Sequence, residues 1–199
     1  MLRMTEVVKN LLIINVIVFF SVRYLIPVPG IERFFVLVTP GINYMDGNTL
    51  YTFEPVQIIT HMFMHADEKH LFFNMLGLYF LGPWVESSLG HKRFLILYLA
   101  SGFVASIAQV IATQGIIVGA SGAVYGVLAA FATMFPNVEL MLLFPPIPIK
   151  AKYMALGLIL IGLFSGVTGA QAGIGHFAHI GGAVLGFLLV RFWHMANLR

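Results

Sequence analysis

Two stretches of this chain run for 45 and 38 residues, Phe94 to Val138 and Tyr153 to Val190, without one Asp, Glu, Lys or Arg. No water-soluble domain of this length hides so much uncharged chain, because too little charge would remain to coat its surface. The whole chain has 11 basic and 8 acidic residues among 199, and 59% of it is apolar. The surplus must face lipid, which makes the chain an integral membrane protein, read as one domain over residues 1–199.

A crossing helix needs roughly 20 residues, so each long stretch must fold back. The turns are placed at Gln114-Gly115 and between Gly169 and Gly175, where glycines gather. Two shorter charge-free intervals, Asn10 to Val22 and His70 to Val85, supply two further helices. The expected architecture is all-α, a polytopic bundle of six transmembrane helices over 8–27, 69–88, 92–113, 120–135, 151–168 and 177–195. Alternating the loops gathers Arg3, Lys9, Lys92, Arg93, Lys150, Lys152, Arg191 and Arg199 on one side, against Arg23, Arg33 and Lys69 on the other. This bias puts both termini in the cytoplasm. The loop from Pro27 to Glu68 then faces outside, and its Phe34–Val38 and Val56–Phe63 segments suggest partial embedding at the interface.

The basic excess is scattered and forms no nucleic-acid-binding run, so no nucleic-acid partner is expected. Cysteine is absent, which removes thiol nucleophiles and thiolate metal sites. Any reactive group must be sought among polar residues at span depth, where burial in lipid makes each one costly. Three clusters stand out, each opening an even-numbered span and therefore on one side of the membrane. The first is residues 60–74, with His61, His65, His70 and Asn74. The second is Gly119-Ala120-Ser121-Gly122 followed by Tyr125, and the third is His176-Phe177-Ala178-His179 followed by Gly182 and Gly186.

A hydroxyl becomes a nucleophile when an imidazole takes its proton, and His179 is the candidate base for Ser121. The Ser121 amide at a helix N-terminus, with His70 and Asn74, can offer donors to an oxyanion. No acidic residue falls in the spans of Ser121 or His179, so a dyad rather than a triad is implied. Tyr125 can orient the imidazole by stacking. Gly122-xxx-Gly126 and Gly182-xxx-Gly186 are small-residue faces that let the two helices approach closely.

Singly, each residue has a plainer reading. Serine is a favoured helix N-cap, a histidine at a span end usually faces water, and Asn74 can simply bond a neighbouring helix. His91 and His194 are assigned to the water-facing class, and His176 has no assigned role. His61 and His65, taken to share a helical face, suggest a hydrogen-bonded scaffold for the outer loop. A metal site drawing on His61, His65, His70, His176 and His179 is the rival, disfavoured by the missing HExxH pattern and the absence of acidic ligands at span depth.

Taken together, the three clusters resemble the rhomboid family of intramembrane serine proteases, over most of the chain. Gly119-Ala120-Ser121-Gly122 is similar to that family's G-x-S-G nucleophile motif, and Ala178-His179 with Gly182 and Gly186 to its histidine helix. The resemblance implies a water-filled cavity open to the outside, cleavage of transmembrane protein substrates within the lipid bilayer, and no cofactor or metal. It makes Ser121 the nucleophile, His179 the base, and His70 and Asn74 oxyanion donors. It makes residues 151–168 a lateral gate and residues 169–177 a cap loop. Many members carry Trp-Arg in the first loop where this chain has Val56-Gln57, so loop anchoring is expected to differ. With no soluble N-terminal domain or seventh span, the chain resembles the compact form of the family, for which a bacterial plasma membrane fits best. A non-proteolytic relative that binds transmembrane clients is the alternative.

Overall fold

The computed structural model describes residues 3–26, 28, 30–47, 49–142, 145–170 and 175–196. Six long helices dominate: α1 (Glu6–Phe20, extended by a π turn to Leu25), α3 (Glu68–Leu89), α4 (His91–Ala112), α5 (Ser121–Met134), α6 (Ala151–Thr168) and α7 (His176–Ala196). Their limits lie within three residues of those read from the charge-free intervals. The short α2 (Gln57–Thr60) runs into a 3-10 turn at His61–Phe63.

Four segments, Glu6–Leu25, α4, α6 and α7, are long and apolar enough to cross a membrane. Helix α5 is apolar but only 14 residues long. At 1.5 Å per residue it spans roughly 21 Å, short of a hydrocarbon core of about 30 Å. Surrounded by α3, α4, α6 and α7, it buries Ala123, Val127, Ala130 and Phe131. Its small side chains are what allow four neighbours to crowd round one axis.

At one end of the bundle a carboxylate does a capping job. Glu86, buried near the end of α3, accepts from the backbone amides of Val7 at 3.0 Å and Val8 at 2.9 Å and from the Thr5 hydroxyl. These are free donors at the start of α1, where the helix dipole favours negative charge. His91 Nδ1 adds a fourth contact at 2.5 Å. The water-facing reading of His91 stands, with its side chain 66% exposed, but it is also a partner of Glu86.

At the other end, the loop between α1 and α3 is built from short pieces. Strand β1 (Leu37–Val38) pairs antiparallel with β4 (Ile116–Ile117), in register Leu37 to Ile117 and Val38 to Ile116. Strands β2 (Tyr44–Asp46) and β3 (Thr49–Tyr51) form a hairpin. Leu37 and Val38 are buried against protein, whereas Phe34 remains exposed, so the embedded segment of the sequence reading divides into a buried and an exposed half. Gln57 is fully buried. It donates to the carbonyls of Arg33 at 2.7 Å and Thr52 at 2.8 Å and accepts from Val38 N at 3.2 Å. One amide thus ties three points of the outer loop together. A third hairpin, β5 (Glu139–Met141) with β6 (Pro148–Lys150), joins α5 to α6.

Candidate active site

The strand β4 delivers the chain to Gly119, whose φ of +116° is closed to residues with a Cβ. A Cβ there would also stand 2.6 Å from the His70 ring. Two outer-loop groups hold the turn: the His61 carbonyl accepts from Gly119 N at 2.9 Å, and His65 Nε2 accepts from Ala120 N at 3.4 Å. Ala120 is the cap and Ser121 the first helical residue of α5. The N-cap reading of Ser121 is therefore incorrect. Its hydroxyl makes no capping bond and points across to α7 instead.

Ser121 Oγ and His179 Nε2 are 2.8 Å apart. The Tyr125 ring, one turn along α5, covers the imidazole face at 4.2 Å between centroids and 5° between planes. Backbone contact makes the approach possible. A Cβ on Gly182 would overlap the carbonyl oxygen of Gly122, and one on Gly186 would overlap that of Gly126. Gly122 and Gly126 in turn admit Ala105 and Ser101 of α4, which packs against both helices.

A cavity of about 960 Å³ opens over this pair. His70 and Asn74 of α3, Ser121 and Tyr125 of α5, and His176 and His179 of α7 all line it. The three clusters noted in the sequence meet at one place. Asn74 Nδ2 donates to the His70 carbonyl of its own helix at 2.9 Å, so the contact is intrahelical and not to a neighbouring helix. Asp67 is the single acidic side chain among the described residues of the lining. It caps α3 by accepting from His70 N at 2.7 Å, and that bond holds its carboxyl below the usual carboxylate range.

His61 and His65 are both buried, but they do not share a helical face: Met64 between them is extended, with φ −104° and ψ 149°. His61 Nδ1 lies 2.8 Å from the Gln57 carbonyl. Burial lowers the pKa of His61 to about 4 and of His65 to about 3, so both are neutral at pH 7. Among the described residues, no three His, Asp or Glu side chains stand so as to hold a metal ion.

Gln109 of α4 is a site residue that the sequence reading passed over. Its Oε1 accepts from Ala178 N at 3.0 Å, capping the first turn of α7 next to His179, and its Nε2 donates to Thr113 Oγ1 at 2.6 Å. A glutamine at span depth inside the 45-residue charge-free stretch was the available signal. The cap loop lies partly outside the described residues, at 171–174.

Chemically, a hydroxyl within hydrogen-bond reach of an imidazole nitrogen in a partly enclosed cavity is an arrangement suited to acyl transfer. A family model described as "Rhomboid domain" matches residues 52–196. The chain is 31% identical over 153 residues to Rhomboid protease AarA of Providencia stuartii, covering 64% of this chain and 52% of that protein. It is 33% identical over 132 residues to Rhomboid protease GluP of Bacillus subtilis strain 168, covering 66% and 24%. To Rhomboid protein 1, mitochondrial, of Saccharomyces cerevisiae it is 31% identical over 153 residues, covering 73% of this chain and 44% of that one. The matched region thus spans about half or less of each of these relatives.

Proposed function

The chain belongs to the rhomboid family, and on that premise we propose that it is an intramembrane serine protease cleaving peptide bonds in or near the transmembrane segments of other proteins. The observation that carries this reading is the 2.8 Å contact between Ser121 Oγ and His179 Nε2 on the wall of the cavity. It is an integral, multi-pass protein, and the proposal takes all six long helices as spans, both termini as cytoplasmic and the cavity as opening outward.

The Ser121 hydroxyl attacks the scissile carbonyl carbon while His179 Nε2 takes its proton. Negative charge builds on the carbonyl oxygen, where the Ser121 amide, the His70 ring and the Asn74 amide are the donors in reach of the cavity. One such donor is worth about 10²–10³ in rate. His179 returns the proton to the departing amine, leaving an ester on Ser121 that water then hydrolyses. Tyr125, flat on the imidazole, keeps its edge turned to the hydroxyl. The chemistry needs neither metal nor cofactor.

Fluorophosphonate labelling in mild detergent tests this without knowledge of the substrate. The wild type is expected to label, and Ser121→Ala and His179→Ala to lose labelling while remaining folded. Labelling that persists in Ser121→Ala would overturn the assignment of the nucleophile. No labelling of a folded wild type would favour the non-proteolytic, client-binding relative.

A further inference from the structure

His176 is a polar side chain of the cavity that the mechanism above leaves unused. It sits one turn before His179 at the start of α7 and is only 7% exposed, with Nε2 buried and without a hydrogen-bond partner. An unmade hydrogen bond at a buried nitrogen costs about 1–3 kcal/mol, so such a group calls for a ligand or a water. The His176 ring stands edge-on to the His179 ring, at 87° with centroids 6.4 Å apart. That separation is too long for a direct bond between ring nitrogens, so neither imidazole satisfies the other. Gly166 of α6 backs the side chain, since a Cβ there would come to 3.2 Å from His176 Cβ. Gln109, the nearby amide, already uses its oxygen on Ala178 N and its nitrogen on Thr113.

We propose that His176 holds the water that hydrolyses the ester formed on Ser121, an inference that rests on the protease reading above. In that step the water oxygen bonds to the ester carbonyl carbon while His179 Nε2 takes one of its protons. The tetrahedral intermediate then releases the Ser121 oxygen, which receives that proton from His179, and the new carboxyl group leaves. His176 forms no covalent bond. It acts by positioning the water, and only after the first half of the reaction is complete.

The two halves can be read separately. Fluorophosphonate labelling reports activation of Ser121 by His179, whereas 4-nitrophenyl acetate gives a burst of nitrophenolate for acylation followed by a steady rate set by deacylation. His176→Phe keeps an aromatic ring and removes both ring nitrogens. It is expected to label like the wild type, to show a stoichiometric burst, and then to turn over about tenfold more slowly or worse. His176→Asn, which restores a donor, is expected to recover part of the steady rate. A His176→Phe protein that labels normally and turns over at the wild-type rate would overturn the inference and leave the protease reading intact. Parallel loss of labelling and turnover would also overturn it, placing His176 in packing or in the first half-reaction. Failure of the wild type itself to label would remove both.

Discussion

Tyr125 lies flat on His179, with ring centroids 4.2 Å apart and planes 5° from parallel, and so restricts rotation of the imidazole. Offset ring pairs contribute about 0.5–1.5 kcal/mol beyond their buried area. Tyr125→Ala is therefore expected to slow fluorophosphonate labelling of Ser121 by about tenfold, which corresponds to about 1.4 kcal/mol. Tyr125→Phe, which keeps the ring, should label at nearly the wild-type rate.

Gly182 and Gly157 form a matched pair of substitutions. A Cβ at Gly182 runs into the Gly122 backbone, whereas at Gly157 on α6 it meets nothing within 4 Å. Gly182→Ala is expected to cost about 3 kcal/mol by forcing α5 and α7 apart, and to abolish labelling. Gly157→Ala is expected to be neutral or to stabilise by about 0.5–1 kcal/mol. Thermal unfolding in mild detergent separates the two.

Stability should depend on pH through the buried outer-loop histidines. Burial lowers the pKa of His61 to about 4 and of His65 to about 3, against 6.5 when free. Between pH 6.5 and 4 the unfolded chain therefore binds protons that the folded one does not. Stability is full above pH 6.5 and falls as pH drops, by on the order of 2 kcal/mol per histidine at pH 5. Denaturant unfolding at pH 7 and pH 5 measures this loss, and His65→Gln should flatten it by roughly one proton's share.

Glu86 holds the first turn of α1 through two backbone amides and the Thr5 hydroxyl. Its replacement strands buried donors at the end of the bundle away from the cavity. Glu86→Ala is expected to lower stability by about 3 kcal/mol, while at temperatures where it stays folded Ser121 labels normally. A protease-accessibility assay of the N-terminal segment should show α1 released before the other helices.

The long helices were legible because charge at span depth is costly, so the charge-free stretches 94–138 and 153–190 announce themselves. The cluster at Ser121, Tyr125 and His179 was legible for the same reason, since polar groups are costly there. What escaped was long-range. Nothing in the periodicity around Leu37 and Val38 says that they pair with Ile116 and Ile117. Likewise nothing local reveals that Glu86 serves a helix 78 residues earlier. Gln57 and Gln109 escaped because an amide's importance lies in which backbone groups it reaches. The error over His61 and His65 came from extending helical spacing through Met64, where the chain is in fact extended.

The pairing of β1 with β4 ties the loop between α1 and α3 to the turn that leads into Ser121. Backbone hydrogen bonds run from Thr39 N to the Gly115 carbonyl and from Gly119 N to the His61 carbonyl, so a displacement of either segment is passed to the other. An antibody or a crosslink that pulls on Leu37 and Val38 would thereby act as a hand on a lever whose short arm ends at Ser121.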